Sequence, residues 1–324
     1  MSDKTYRWGI IGTGHIAEQF AKGIESTARG VRYAVASRSL EKSISFAREH
    51  AFEKAYGSYK DLLDDPAVDI VYIATPNHLH YELTMQALNA NKHVLCEKPF
   101  ALDSQQVREM ITLAQNKNLF LSEAMWTAFL PSMTTLRKEI SEGKIGHPLM
   151  VQAEFGIHPE YKKESRLFSP ALGGGSIYDI GIYPIFLSLY LLGQPTDIKV
   201  TSIPAPTGVD MTTALLFKHA GEATSVLISS FACSLRSDAT ITGDKGSLRL
   251  SRMFHMPTRL YFSKEYADES DETEIPIHYT GNGYNYEADE AMECIDKGLY
   301  ESPKYTHEFT ILLAETIEKV MHQI

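Results

Sequence analysis

Apolar and polar residues follow two different patterns along the chain, and the change between them falls close to Glu123. Before it, short β-branched runs are separated by segments with helical spacing, which predicts βαβ units around a parallel sheet. After Thr196, strand-like runs dominate and predict a second sheet. The predicted fold class is therefore α/β, with a first domain over residues 1–123 and a second domain of helices and strands over residues 124–324.

The strands of the first domain are predicted at Arg7–Ile11, Val31–Ala36, Lys54–Tyr56, Val68–Ala74, Val94–Cys96 and Leu119–Leu121, with helical segments between them. The second domain is predicted to begin with a helix over Pro131–Ser141 and a strand over Leu149–Phe155, and a further helix starts near Ser176. Its later strands are predicted at Ile198–Ile203, Thr212–Phe217, Thr224–Phe231, Ala239–Thr242, Ser247–Leu250 and Leu260–Phe262. Helices over about 285–297 and 305–323 are predicted to close the chain.

A glycine-rich turn joins the first strand to the first helix. It reads Gly12-Thr13-Gly14-His15-Ile16-Ala17, which fits the G-x-G-x-x-G/A pattern of dinucleotide-binding folds. Gly12 would make the tight turn, and Gly14 would let a pyrophosphate approach the amides of the helix N-terminus. A purely structural turn is the alternative. The position of the motif favours a Rossmann-type doubly wound sheet in which the residues from Gly12 to Ile16 contact the cofactor.

The second strand ends in Ser37-Arg38, where an enzyme that prefers NAD usually carries an acidic residue for the ribose hydroxyls. This chain has no acidic residue there. The Arg38 guanidinium could face a 2′-phosphate through charge-assisted hydrogen bonds, or it could be a solvated loop residue. We predict that Ser37 and Arg38 contact the cofactor and that NADP is preferred over NAD.

Two further loops follow strands of the same sheet, and they read Thr75-Pro76-Asn77-His78-Leu79-His80 and Glu97-Lys98-Pro99. Ligands of open α/β sheets bind beyond the carboxyl ends of the strands. We therefore expect cofactor contacts from Thr75, Pro76, Asn77, His80, Glu97 and Lys98. No further ligand at helical spacing accompanies the two histidines, so no metal site is predicted. An ordinary surface lysine is the alternative for Lys98.

Asp179 and Tyr183 lie four residues apart in an apolar segment that predicts a largely buried helix, so their side chains would share one face. A buried aspartate needs a partner, which a catalytic pocket would supply. The alternative is a core tyrosine and an aspartate that holds a loop. Arg166, in the long polar segment before this helix, and the aromatic residues Trp126 and Phe155 complete the candidate substrate-binding set with Asp179 and Tyr183.

The order of these motifs resembles that of the Gfo/Idh/MocA oxidoreductases over essentially the whole chain. The resemblance is carried by Gly12-Thr13-Gly14, Ala74-Thr75-Pro76-Asn77, Glu97-Lys98-Pro99, Gly173-Gly174-Gly175 and Asp179-Ile180-Gly181-Ile182-Tyr183-Pro184. Within the family, Glu123-Ala124-Met125-Trp126-Thr127 is similar to the branch of dimeric dihydrodiol dehydrogenases and NADP-dependent xylose dehydrogenases. This chain has Ala128 where members of this branch often carry arginine. If that arginine contacts the substrate or the partner subunit, the substrate preference or the dimer contact of this chain would differ.

The resemblance implies a Rossmann domain followed by an α+β domain with a large, mostly antiparallel open sheet. It also implies roles for four residues. Lys98 would reach the nicotinamide ribose and the substrate oxygen, and Pro99 would follow a cis peptide bond. Tyr183 would occupy the acid/base position that histidine holds in many relatives. Because tyrosine has an ordinary pKa of about 10, it needs a neighbouring ammonium such as Lys98 to act as a base at neutral pH. Asp179 would orient this pair or bind a substrate hydroxyl.

The predicted function is hydride transfer between NADP and a secondary alcohol or carbonyl of a sugar or trans-dihydrodiol. The main alternative is a non-catalytic regulator that senses a dinucleotide on the same fold. Such a protein would be expected to lose Lys98 or Tyr183, and both are present. Reduction of a carbon–nitrogen double bond is a third possibility.

Composition narrows the remaining classes. The 324 residues suit about two domains, and 44% apolar with 22% charged residues is a globular balance. A net charge of -10 gives no sign of a nucleic-acid partner, and three cysteines without paired spacing argue against a disulfide framework. The apolar run Ile177–Leu192 is too short and interrupted to span a bilayer. We expect a cytoplasmic enzyme with a small-molecule substrate that forms a homodimer through the exposed face of its C-terminal sheet.

Overall fold

The computed structural model describes residues 4–264 and 271–324. They form two compact units, unit 1 with Met1–Phe129 and Tyr279–Ala314 and unit 2 with Leu130–His278 and Glu315–Ile324. The boundary predicted between residues 123 and 124 lies close to the first division, but residues 279–314 return to unit 1. A local hydrophobic pattern carries no signal for such a return, because it reports periodicity and not the partner on which a segment packs.

Unit 1 contains the strands β1 (Tyr6–Ile11), β2 (Gly30–Ala36), β3 (Lys54–Tyr56), β4 (Ile70–Ile73), β5 (His93–Glu97) and β6 (Leu121–Ala124). The helices between them are α1 (His15–Glu25), α2 (Leu40–Glu49), α3 (Tyr59–Asp64), α4 (His80–Asn89) and α5 (Ser104–Lys117). Short 3-10 turns lie at Asn77–Leu79 and Trp126–Phe129.

The six strands of unit 1 run parallel in the order β3-β2-β1-β4-β5-β6. The connection direction reverses between β1 and β4, and doubly wound sheets bind ligands at this point, beyond the carboxyl ends of the strands. The predicted parallel, doubly wound sheet is therefore confirmed.

Helices cover the sheet of unit 1, and this explains why some of its strands could be predicted from the sequence. Val71, Val94 and Leu121 on neighbouring strands belong to one buried core with Leu83 of α4 and Met110 of α5. Strands covered on both faces are apolar throughout, which is the pattern recognised at β4 and β5. The strand predicted at Leu119–Leu121 is displaced in the structure to Leu121–Ala124, because its later residues are polar yet buried.

Unit 2 contains the strands β7 (Pro148–Gly156), β8 (Asp197–Pro204), β9 (Asp210–Lys218), β10 (Thr224–Ser230), β11 (Ala239–Gly243), β12 (Gly246–Leu250), β13 (Leu260–Lys264) and β14 (Thr273–Ile275). They form one sheet in the order β14-β13-β12-β11-β7-β10-β9-β8. Strands β7 and β10 pair in parallel, and the other neighbours in this order pair antiparallel. The predicted mostly antiparallel sheet is confirmed.

Helices α6 (Pro131–Ser141) and α7 (Ile182–Leu192) belong to unit 2. Helix α7 packs on β7 and β10, and a π-helical turn at Ile177–Gly181 precedes it, where one continuous α-helix was predicted. The stretch Pro170–Leu192 is long and apolar enough for a membrane span by length and composition alone. Most of it is buried inside the protein, which is the position of a core helix.

Helices α8 (Tyr284–Asp296) and α9 (His307–Met321) close the described chain. Helix α8 belongs to unit 1 and packs on α1. A Cβ added at Gly23 of α1 would lie 2.6 Å from the Cβ of Tyr284, so glycine permits this close approach. Helix α9 begins in unit 1, and its residues from Glu315 onward are assigned to unit 2.

Candidate active site

The turn between β1 and α1 combines a left-handed glycine with an uncapped helix N-terminus. Gly12 has φ of +115°, and a Cβ there would lie 2.3 Å from the carbonyl oxygen of Ala74. A Cβ added at Gly14 would meet nothing within 4 Å. Gly14 is also the N-cap of α1, and no side chain caps that helix. The space at Gly14, beside the uncapped N-terminus of α1, would suit a pyrophosphate, since helix N-termini favour anions.

The loop after β2 presents one exposed cation. The Ser37 hydroxyl donates to the Ser39 carbonyl at 2.7 Å, and the Ser39 side chain accepts from the Lys42 amide at the start of α2. Ser37 is buried, whereas Arg38 is exposed. The Ser37 side chain thus shapes the turn, and the Arg38 guanidinium is the group available to a ligand.

His80 holds the loop after β4 through contacts with main-chain oxygens. Thr75, Pro76 and Asn77 are half-buried, and the amide of Leu79 donates to the Pro76 carbonyl. The His80 ring is 1% exposed; its Nδ1 lies 2.7 Å from the Pro99 carbonyl oxygen and its Nε2 lies 2.9 Å from that of Thr75. Both ring nitrogens are directed at main-chain oxygens of the protein.

The turn after β5 contains Glu97 and Lys98. The Glu97 carboxylate is buried and accepts hydrogen bonds from the Tyr72 hydroxyl and, at 3.2 Å, from the Lys98 amide. The Lys98–Pro99 peptide bond is cis, which confirms the isomer that the resemblance implied. Lys98 is half-buried at the carboxyl end of β5, on the same edge of the sheet as Gly12.

A second buried glutamate supports this turn. Glu123 of β6 is 2% exposed and accepts from the Phe100 amide at 3.0 Å and from the Tyr305 hydroxyl at 2.6 Å. Burial raises the pKa of Glu123 to about 7, because desolvation outweighs these two hydrogen bonds and the neighbouring Lys98 charge.

Trp126 of unit 1 is buried and stacks on Tyr284 of α8, with ring centroids 4.4 Å apart. The other candidate substrate-binding residues lie in unit 2. The Tyr183 ring is nearly buried at the start of α7, with its centroid 5.8 Å from that of Phe155 and 4.7 Å from that of His255. Trp126, Phe155 and Tyr183 are thus all buried, and each packs against other rings of its own unit.

Asp179 has a defined partner in unit 2. It lies in the π-helical turn, and its Oδ1 accepts from Arg166 Nη1 at 2.6 Å. The turn itself is anchored by Asp210, whose Oδ2 accepts from the Ser176 hydroxyl at 2.6 Å and from the Ile177 amide at 2.8 Å. The predicted pair of Asp179 and Tyr183 therefore spans a π-turn and the start of an α-helix and does not lie on one regular helical face.

The predicted residues thus fall into two groups. Unit 1 brings together the loops that begin at Gly12, Ser37, Thr75 and Glu97, and unit 2 brings together Phe155, Arg166, Asp179 and Tyr183. Within residues 4–264 and 271–324, no group of three or more His, Cys, Asp or Glu could hold a metal ion.

Sequence reasoning missed four residues that shape these groups. Glu123 was noted only as part of a motif, and Tyr72, Tyr305 and His255 were not singled out. Glu123 had one usable signal, since a carboxylate inside an apolar strand requires bonded partners. The others lie far along the chain from the residues they contact, and no spacing rule links them.

Family models match both parts of the chain. The model described as an oxidoreductase family with an NAD-binding Rossmann fold matches residues 6–125. The model described as the GFO/IDH/MocA C-terminal domain matches residues 133–249. The two matches together cover most of the sequence.

Curated relatives are similar over their full length. The chain is 33% identical over 325 residues to the trans-1,2-dihydrobenzene-1,2-diol dehydrogenase of Xenopus tropicalis, and the match covers 98% of each chain. It is 36% identical over 333 residues to the Homo sapiens protein of the same name, covering 98% of this chain and 96% of that one.

Solved structures share the fold. A 3-ketoreductase from Actinomadura kijaniata, solved with NADP and TDP-benzene, matches with a TM-score of 0.87 and 24% identity, covering 99% of this chain and 98% of that one. The aldose-aldose oxidoreductase from Caulobacter crescentus, solved with glycerol, matches with a TM-score of 0.89 and 21% identity, covering 99% and 97%.

The two glycines of the phosphate loop should respond differently to alanine. Gly12→Ala forces a Cβ against the Ala74 carbonyl at a positive φ, so we expect a clear drop in melting temperature. Gly14→Ala meets open space and should fold normally, yet weaken NADPH binding because the added methyl occupies the phosphate space. Thermal melting without cofactor and fluorescence titration with NADPH test both; normal NADPH affinity in a folded Gly14→Ala protein would refute this use of the loop.

Glu123 should also make stability depend on pH. Its folded-state pKa of about 7 lies above the ordinary value of 4.5, so protonation of Glu123 favours the folded state. Its contribution to the free energy of unfolding is therefore fully present below pH 4.5 and is lost as the pH rises through 7. Glu123→Gln removes this dependence, and the unfolding free energy of the variant relative to the wild type should rise by up to about 3 kcal/mol between pH 4.5 and pH 8. Urea unfolding across this range measures the difference, and a constant difference would contradict the assignment.

Proposed function

The chain belongs to the Gfo/Idh/MocA family of NAD(P)-dependent oxidoreductases, and we propose that it is an NADP-dependent dehydrogenase of sugar-type or trans-dihydrodiol-type alcohols. The observation that carries the proposal is the placement of Lys98 on a fixed turn at the sheet edge that also carries the open phosphate loop. The substrate class is taken from the names of the relatives, which act on a dihydrodiol or on aldoses.

The residues of unit 1 fit a nicotinamide dinucleotide. The uncapped N-terminus of α1 and the space at Gly14 suit its pyrophosphate. Exposed Arg38 suits a 2′-phosphate, and Lys98 suits the ribose hydroxyls of the nicotinamide half. Thr75, Pro76 and Asn77 would line the same sheet edge. When bound, the nicotinamide accepts or supplies the hydride.

Side chains of the protein accept and donate the proton of the substrate oxygen. In alcohol oxidation, the substrate C–H loses a hydride and its O–H loses a proton, which we assign to the Tyr183 phenolate. The Lys98 ammonium stabilises both the phenolate and the developing alkoxide, since each carries negative charge. In carbonyl reduction, Tyr183 returns the proton to the oxygen. Asp179, fixed by Arg166, would bind a substrate hydroxyl.

The alternative of a non-catalytic dinucleotide sensor is not favoured. The curated relatives reported above carry the name of a dehydrogenase over the full length of the match. A sensor would have no need of an ammonium and a phenol in these positions, and both Lys98 and Tyr183 are retained.

We also propose that the outer face of the unit 2 sheet forms a homodimer contact. Ile203, Leu216 and Val226, on three adjacent strands, are 62%, 50% and 37% exposed. Val226 pairs with Leu216, and exposed apolar patches of this kind are typical of association surfaces.

The first prediction from this proposal concerns the choice of cofactor. Arg38→Ala should weaken NADPH binding by about ten- to a hundredfold, because charge-assisted hydrogen bonds to the 2′-phosphate are lost, and should leave NADH binding unchanged. Arg48→Ala removes the same charge from the exposed side of α2 and should change neither. Fluorescence titration measures the affinity of the wild type and of each variant for NADPH and for NADH. Tighter binding of NADH than NADPH by the wild type would rule out the Arg38 argument.

The second prediction concerns catalysis. Lys98→Met and Tyr183→Phe should each reduce turnover by about a hundredfold or more, as for loss of a general acid or base, in proteins that melt as the wild type does. Tyr190→Phe serves as a control, since it removes a phenol of the same helix whose hydroxyl accepts from Arg137. A screen of aldoses and trans-dihydrodiols with NADP reduction identifies the substrate, and near-normal turnover of either variant would remove that residue from the mechanism.

The third prediction concerns assembly. Leu216→Arg should convert a dimer into a monomer, because it places a charge in the proposed apolar contact. Leu40→Arg, which alters an equally exposed leucine of α2, should leave the assembly unchanged. Light scattering after gel filtration gives the mass of each protein. A dimer that persists in Leu216→Arg would show that this sheet face is not the dimer contact.

A further inference from the structure

The main chain of the Lys98 turn is bound by side chains at three successive residues. The Lys98 amide donates to the Glu97 carboxylate, the Pro99 carbonyl faces His80 Nδ1 at 2.7 Å, and the Phe100 amide donates to Glu123 at 3.0 Å. None of these three contacts is a sheet or helix hydrogen bond. The conformation of the turn is therefore set by side chains and not by regular secondary structure.

Two of the side chains reach the turn from neighbouring parts of unit 1. His80 is the first residue of α4, the helix that follows β4, and Glu123 belongs to β6. Strands β4 and β6 flank β5 on its two sides, so the turn is held from both. His80 reaches a second loop as well, since its Nε2 lies 2.9 Å from the Thr75 carbonyl.

Both side chains are costly to bury. His80 is 1% exposed and Glu123 is 2% exposed, and polar groups are buried at little cost only when hydrogen-bonded. Burial lowers the pKa of His80, because desolvation disfavours the imidazolium. The neutral ring donates to one of the two carbonyls, and the doubly protonated ring donates to both. In either form the ring spans the gap between the two loops.

We propose that His80 and Glu123 are positioning residues that fix the Lys98–Pro99 turn for the dinucleotide and for proton transfer. The proposal rests on the proposed catalytic role of Lys98. The lysine side chain has four rotatable bonds, so its ammonium can be placed reproducibly only if the main chain that carries it is fixed. A direct contact of either residue with the cofactor is not required.

The two residues should differ in what they control. His80 links the Lys98 turn to the Thr75 loop, so its loss should affect both cofactor affinity and turnover. Glu123 contacts the Lys98 turn through Phe100 but no other cofactor loop in the hydrogen bonds described above, so its loss should reduce turnover more than affinity. A merely structural role would lower stability without this division.

Four variants test this division. His80→Phe and Glu123→Met keep the approximate shape and remove the hydrogen bonds. His80→Gln and Glu123→Gln return one donor and one acceptor, respectively, and should restore part of the lost function. The assays are the melting temperature, the dissociation constant of NADPH measured by fluorescence, and kcat with the substrate that the screen identifies.

Two controls match these variants. His93 lies at the opposite end of β5, where its Nδ1 accepts from the Phe120 amide at 2.9 Å, so His93→Phe makes the same change away from the carboxyl end of the sheet. Tyr305→Phe removes the hydrogen bond to the second oxygen of Glu123 and leaves the acceptor of the Phe100 amide in place. Both should lower the melting temperature with little change in affinity or kcat.

The expected result is that His80→Phe weakens NADPH binding about tenfold or more and lowers kcat as well, whereas Glu123→Met lowers kcat about tenfold or more with a smaller change in affinity. The glutamine variants should recover part of each loss. If the variants melt at lower temperature but match the controls in affinity and kcat, the proposal is wrong while the role of Lys98 stands. If Lys98→Met itself retains normal turnover, the proposed function is wrong, whatever the other variants show. A changed NADPH affinity in His80→Phe would then show only that His80 holds the Thr75 loop.

Discussion

The hydrogen bonds that buried side chains make to the main chain of residues 98–100 are the constraint that sets the Lys98 turn, on which the proposed function depends. They come from Glu97, His80 and Glu123, and each of these residues is almost fully enclosed. A turn at the end of a parallel strand has no ladder of its own, so side chains must supply the partners that its amides and carbonyls need. The parallel sheet positions these side chains by keeping β4, β5 and β6 in register.

The residues of the proposed chemistry are divided between the two compact units. Unit 1 supplies the phosphate loop, Arg38 and Lys98, which are the groups suited to a dinucleotide. Unit 2 supplies Tyr183 in an aromatic setting and an aspartate whose charge is offset by Arg166. The cations of unit 1 suit phosphates and developing negative charge, whereas the phenol of unit 2 suits proton transfer, and in the proposed mechanism neither set is sufficient alone.

Much of the fold could be predicted from the sequence, because strands β4 and β5 are covered on both faces and therefore contain the unbroken apolar runs Ile70–Ile73 and Val94–Cys96. The phosphate loop could also be predicted, since Gly12 must adopt a φ that other residues avoid. The prediction placed strand β6 too early, because Glu123 is polar and the sequence does not show the hydrogen bonds that allow it to be buried in a strand. The π-turn before Tyr183 and the return of α8 to unit 1 left no periodic signal. Contacts such as that of Glu123 with Tyr305 join distant parts of the chain, and only the folded structure shows them.

The central proposal is that Lys98 and Tyr183 act on one substrate oxygen beside the nicotinamide. A crystal structure of the wild-type protein with NADP and an unreactive substrate analogue tests it most directly. The account predicts that Lys98 Nζ and the Tyr183 hydroxyl both lie within hydrogen-bonding distance of the same analogue oxygen, with the adjacent carbon facing C4 of the nicotinamide. An analogue oxygen bound by neither side chain, or a nicotinamide that lies away from the Lys98 turn, would contradict it.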